Sequence, residues 1–186
     1  MALTQQKFRE IVLQLLYSQD VTHPDDTLML QLMMAELAVS KKNVRLAQER
    51  VQKIKEHLSE IDPLIASVST SYDFERIQVV TRNILRLGVF ELLFDDQIPP
   101  KVAIAEAIRL SRKFNTPESA TFVNALLDQL YQSSQGKSID PQSIAQYSQT
   151  LLQSEQIASN AAQEQSFKEA EWVEAEDLSD DMDKEV

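Results

Sequence analysis

Glu91, Asp95 and Asp96 fall within six residues of one another, the spacing at which two carboxylates can share acid–base work. Such a pair needs a nucleophile, a histidine or a metal to act on, and none accompanies them. They read as helix-end charges with one satisfied polar contact. His23 and His57 are 34 positions apart, too far to head a metal-ligand motif, and are expected on helix surfaces. The chain has no cysteine, which excludes a thiolate zinc site, a disulfide scaffold and a cysteine nucleophile. Only Gly88 and Gly136 are present, so no glycine-rich phosphate loop can be written. The expectation is a protein without catalytic residues, metal or cofactor.

Binding chemistry has more to draw on. Lys7 and Arg9, with Tyr17 two turns on, form a small basic and aromatic site. Lys41, Lys42, Arg45, Arg50, Lys53 and Lys55 crowd one later stretch, with Glu49 and Glu56 interspersed. Read by periodicity, these make a solvated face, the alternative being a nucleic-acid stripe. Arg82 and Arg86 share a face of a very apolar stretch, so their stems should pack there while their heads find carboxylates such as Glu91.

The elements that must position these residues are helices. Thr4 is a candidate N-cap, and Phe8, Ile11, Val12, Leu15 and Leu16 follow at three- and four-residue steps. Thr22 to Asp26 restarts a helix carrying Leu28, Leu32 and Met29, Met33 or Leu37. A third is expected from Ser40 toward Ile61, and Asp62-Pro63 reads as the cap and first turn of a short fourth. Phe74 to about Phe94 should be one long apolar helix, in which Gly88 costs roughly 1 kcal/mol relative to Ala and so marks a close crossing. Pro99-Pro100 ends it. Lys101 to Phe114 follows, with Val102, Ala103, Ala107 and Leu110 inward, and Thr116-Pro117 caps the last helix, where Val123, Leu126, Leu127 and Leu130 face the core. No segment alternates as a strand, and the class is all-α with about seven helices.

The chain has 186 residues and a formal net charge of −11. Residues 1–135 carry 15 Lys/Arg and 17 Asp/Glu, a net of −2, and residues 136–186 carry 3 and 12, a net of −9. The overall acidity argues against a nucleic-acid partner only until it is located. Residues 1–135 are expected to fold. Residues 136–186, Gln- and Ser-rich and closing on Glu169-Ala-Glu-Trp-Val-Glu-Ala-Glu-Asp177, are expected to be a mostly disordered acidic tail, with a transient helix over Pro141 to Asn160. No run reaches the roughly 20 apolar residues that span a bilayer, and no signal-peptide pattern opens the chain. The expectation is a soluble cytoplasmic protein without membrane partners.

Three strings go further. Phe74-Glu-Arg-Ile-Gln-Val-Val-Thr-Arg-Asn-Ile-Leu-Arg-Leu-Gly-Val-Phe-Glu-Leu-Leu, Ile98-Pro-Pro-Lys-Val-Ala-Ile-Ala-Glu-Ala and Lys113-Phe-Asn-Thr-Pro-Glu-Ser-Ala-Thr-Phe-Val-Asn-Ala-Leu-Leu-Asp resemble the NusB transcription antitermination family. Arg9-Glu10 and Leu13-Gln-Leu-Leu-Tyr-Ser resemble its first helix. The likeness covers about residues 3–132 in matching order. It implies two packed helical bundles, no catalytic activity, and an RNA-binding protein. The implied partners are a short single-stranded RNA element called boxA, the small-subunit ribosomal protein also called NusE, and the RNA polymerase elongation complex, kept moving through ribosomal RNA operons. An unbound homodimer is compatible with it. On this resemblance Lys7 and Arg9 would meet phosphates, with Lys101 a further phosphate contact. Tyr17 and Phe122 would offer flat faces to bases, the alternative being core packing, and Glu118 would accept hydrogen bonds from base or sugar edges. Glu75 would contact the NusE-like partner.

The chain also departs from the pattern, which usually begins with several arginines. It usually has an acid where Thr81 stands, an asparagine at Ala105 and a glycine at Asn115 and Ala125. The rival to RNA-binding antitermination is a protein-interaction adaptor of the same fold with weak or lost RNA binding.

Overall fold

A computed structural model describes residues 3–21, 39–69, 73–137, 145–154 and 156–157. The expected helix over Thr22 to Leu37, with His23, and most of the acidic tail lie outside the described residues. Two compact units divide the chain, 1–148 and 149–186. In the second, residues 149–154 and 156–157 are helical.

The first unit is all-α among the described residues. Its helices are α1 (Gln5–Val21), α2 (Lys41–Glu56), α3 (Leu58–Val68), α4 (Val79–Leu93), α5 (Pro100–Phe114) and α6 (Pro117–Ser134), with a 3-10 turn at Phe74–Arg76. Their starts follow local chemistry. Lys7 N donates to Thr4 Oγ1 at 3.2 Å, Asn43 N to Ser40 Oγ at 3.4 Å, and Ser119 N to Thr116 Oγ1 at 3.3 Å.

Helix α4 is the hub. It packs against each of the other five helices, α1, α2, α3, α5 and α6. It is buried from Asn83 to Leu92 without a break. At Gly88 both α5 and α6 come close: a Cβ built there would stand 3.0 Å from Leu127 Cδ1 and 3.3 Å from Ala107 Cβ. The close crossing expected from that glycine is present.

Several expectations need correction. Helix α2 stops at Glu56, and the chain turns at His57, whose ring packs 4.7 Å from Phe94 and 5.6 Å from Phe90 while Nδ1 lies 2.8 Å from Lys53 O. His57 is therefore half-buried in a turn, not on a helix surface. Pro63 sits inside α3, and Asp62 does not cap, because its carboxylate is held by Arg86 at 2.8 and 2.7 Å. The helix expected from Phe74 is a separate 3-10 turn, capped by Asp73 and broken by extended backbone at Ile77, before α4 begins. In α5, Val102 is exposed, and Ser111 joins Ala103, Ala107 and Leu110 on the buried face.

Candidate nucleic-acid interface

The first two turns of α1 lie beside the end of α5. Arg109 Nη2 donates to Gln6 O at 3.2 Å, and Arg109 Nη1 and Lys113 Nζ each approach Glu10 at 2.8 Å. Lys7 Nζ stands 3.9 Å from the same carboxylate. Burial alone would push Glu10 up. Hydrogen bonds and charge from Lys113 and Arg109 outweigh it and hold the carboxyl below its ordinary value. Three cations thus share one carboxylate, with Glu106 bound to Arg109 at 3.0 Å behind it. The ammonium groups of Lys7 and Lys113 are the solvent-facing members, their side chains 39% and 50% exposed. This cluster can meet an anion without rebuilding the core.

Arg9 does not join it. Its side chain is buried, and Nε lies 2.9 Å from both carboxylate oxygens of Glu91, with Glu106 at 3.8 Å from Nη1. The expectation that Arg9 meets phosphate is corrected. α1 turns this position toward the hub helix, where the arginine neutralises a buried glutamate. Burial pushes Glu91 up, and the charge and hydrogen bonds of Arg9 oppose it. The carboxylate that Arg82 and Arg86 were expected to find is therefore taken. Arg86 binds Asp20 at 2.8 Å and Asp62, while Arg82 lies 3.8 Å from Asp20 and from Glu75. Both guanidinium groups lie over the Phe74 ring, at 5.6 and 5.8 Å. Asp95, another of the three clustered carboxylates, is paired with Arg50.

Phe122, on the inner face of α6, is fully buried, so of its two readings core packing holds and the stacking face does not. Tyr17, at 44% exposure, is open. It lines an apolar groove of about 350 Å³ with Leu13, Gln14, Val80 and Phe114. Lys113 Nζ sits 5.4 Å from the Phe114 ring, so this groove and the cationic cluster adjoin. Lys101, exposed in the first turn of α5, and Glu118, half-buried in the first turn of α6, share no ion pair or hydrogen bond with Lys7 among the described residues. Glu75 projects from the 3-10 turn with its side chain 81% exposed. The structure thus joins Lys7 and Tyr17 through α5 and leaves the other candidates separate.

Sequence reasoning missed Glu10, Glu106, Arg109 and Phe114. The i,i+4 pair Arg109 and Lys113 on an amphipathic helix was the available signal. Among the described residues no group of His, Asp or Glu is arranged to hold a metal ion, and no helix is long and apolar enough to cross a membrane.

The NusB family model matches residues 6–132. The transcription antitermination protein NusB of Chlamydia pneumoniae is 36% identical over 130 residues, spanning 70% of this chain and 81% of that relative. That of Geobacter sp. (strain M21) is 37% identical over 135 residues, spanning 68% and 93%. Among solved structures, T. maritima NusB superposes with a TM-score of 0.61 at 33% identity, over 71% of this chain and 93% of that one. A structure of antitermination factors NusB and NusE in complex with dsRNA superposes with a TM-score of 0.60 at 25% identity, over 69% and 96%.

Proposed function

The chain belongs to the NusB family, and from that premise we propose that it is a transcription antitermination factor. It binds boxA-type single-stranded RNA together with a NusE-like small-subunit ribosomal protein and promotes elongation by RNA polymerase through ribosomal RNA operons. The observation that carries this reading is the convergence of Lys7, Arg109 and Lys113 on Glu10 at the start of α1. A phosphate oxygen can take the place of that shared carboxylate for the two solvent-facing lysines. Tyr17 and Phe114 supply the adjoining aromatic surface, with Lys101 and Glu118 as outer contacts and Glu75 facing the NusE-like protein. Support comes also from the solved relative that holds NusE and RNA.

The test is fluorescence anisotropy on boxA-like and scrambled RNA, with and without the NusE-like protein. Tighter binding of the boxA-like RNA is expected, strengthened by the partner. The K7A/K113A variant should reduce the slope of log K against log salt by about 1.4, at roughly 0.7 per phosphate for a single strand. Equal affinity for both RNAs under both conditions overturns the proposal. The adaptor reading is favoured by one observation, the commitment of Arg9 to Glu91, which thins the basic arm. Capture of the ribosomal protein without any RNA crosslink would select it.

A further inference from the structure

A second surface leads away from the same helix start. Lys42, Arg45, Leu46, Glu49 and Lys53 recur at three- and four-residue steps and share the outer face of α2, opposite buried Val44, Ala47, Val51 and Ile54. Between this face and the start of α1 runs a groove of about 500 Å³. Phe8, Leu3 and the 44% exposed Leu46 give it apolar surface, Gln5 and Asn43 contribute side-chain amides, and Lys42 and Lys53 contribute ammonium groups. Arg50 also lines it, but is held by Asp95 and lies 5.4 Å from the Phe90 ring. Glu49 is the carboxylate lining it.

The charge here differs in kind from that of the interior. Arg9, Arg50, Arg82, Arg86 and Arg109 are each in ion pairs. No ion pair within 4.0 Å ties Lys41, Lys42, Arg45, Lys53 or Lys55 to another described residue. Five exposed cations on one helix outnumber its two carboxylates, Glu49 and Glu56, and leave this face with an excess of positive charge among the described residues. Lys42 and Lys53 are eleven residues apart, about 16 Å along the helix, which is long enough for several nucleotides. Phe8 offers a flat face for a base, and the two amides can meet base edges, the combination of groups that holds single strands. The groove also begins where the candidate RNA site begins, since Phe8 follows Lys7 directly.

We propose that the groove between α1 and α2 binds the single-stranded RNA flanking the boxA-type element, with Lys42 and Lys53 on phosphates and Phe8 against a base. This rests on the RNA-binding reading above and extends the path of the strand around the start of α1. The contact is sequence-tolerant, because its affinity comes from phosphate neutralisation and stacking.

The experiment compares a core boxA-like RNA with the same RNA lengthened by six uridines at its 5′ or its 3′ end, using the full chain with the NusE-like protein. One extension should bind ~10-fold tighter at low salt and steepen the salt slope by about 1.4, for two phosphates. K42A/K53A should remove both gains and leave core RNA unchanged; both side chains are exposed, and circular dichroism would verify the fold. No gain from either extension, with core RNA still bound, overturns this inference alone. Equal weakening of core and extended RNA by the double variant also overturns it. Failure of every RNA to bind overturns both readings. A poly-glutamate peptide that binds through Lys42 and Lys53, while extended RNA gains nothing, would assign the groove to an acidic protein instead.

Discussion

Asn115 Nδ2 donates a hydrogen bond to Thr81 Oγ1 at 2.7 Å, joining the end of α5 to the first turn of α4. Thr81 is fully buried, and Asn115 sits at the cap between α5 and α6, its own Oδ1 accepting from Thr116 N at 2.9 Å. These are two of the positions at which the chain departs from the family pattern, where an acid and a glycine are usual. A neutral hydroxyl and an amide satisfy each other across the helix junction.

Thr81→Val and Asn115→Ala should therefore be coupled. Each is expected to cost about 1 kcal/mol, a hydrogen bond's ordinary net worth. The double variant should cost less than their sum by at least 0.5 kcal/mol, the usual threshold for residues in contact. Urea denaturation of all four proteins completes the cycle, and strict additivity would show that the bond contributes nothing.

Glu91→Leu should be among the most damaging single changes in the first unit, at about 3–5 kcal/mol, because it strands the Arg9 guanidinium in the interior. Arg9→Met together with Glu91→Leu should recover most of that loss, since an apolar pair of similar volume fills the site without a buried charge. The midpoint of chemical denaturation checks this. A double variant no more stable than Glu91→Leu alone would mean that Glu106 already balances the arginine.

Acid should destabilise the domain partly through Glu10. Its folded pKa lies below the unfolded value of about 4.3. The stability it contributes is fully present above that value and is lost as pH falls through the lowered folded one. Asp95, held low by the hydrogen bond and charge of Arg50 against its burial, acts in the same direction. Glu91, raised by burial, acts oppositely and favours its protonated form. Glu10→Gln should lower Tm at pH 7 by several degrees, and the gap from the unaltered protein should close as pH falls below about 4. A gap independent of pH would assign the effect to packing.

The elements that were legible in the sequence are those fixed by neighbours along the chain. Thr4 and Thr116 cap as expected, and Ser40 caps the helix expected to start there, because a side-chain oxygen reaches an amide three residues on. Gly88 was legible because a glycine inside an apolar helix leaves room for only one thing, another helix. What failed depends on distant partners. Asp62 has the local form of a cap, but Arg86, 24 residues later, claims its carboxylate. Arg9 has the form of a surface cation, and its partner is 82 residues away. Phe122 and Tyr17 are both aromatic residues on amphipathic helices, and only the packing of α6 and α1 separates core from surface. The family resemblance pointed to the start of α1, but not to the turn of α5 that packs beside it.

The interior ion pairs are made by arginines, while the lysines stand toward solvent, and this has a chemical consequence. The guanidinium groups that hold the helices together are inert to the acyl donors that modify amines, whereas Lys7, Lys41, Lys42, Lys53, Lys55, Lys101 and Lys113 all stand at or near the surface. Acetylation would strip positive charge from the outer faces of α1, α2 and α5 and remove the contacts of Lys7 and Lys113 with Glu10, while the ion pairs made by arginine would stay in place. The charge that faces solvent and the charge that joins the helices thus reside largely on chemically different side chains.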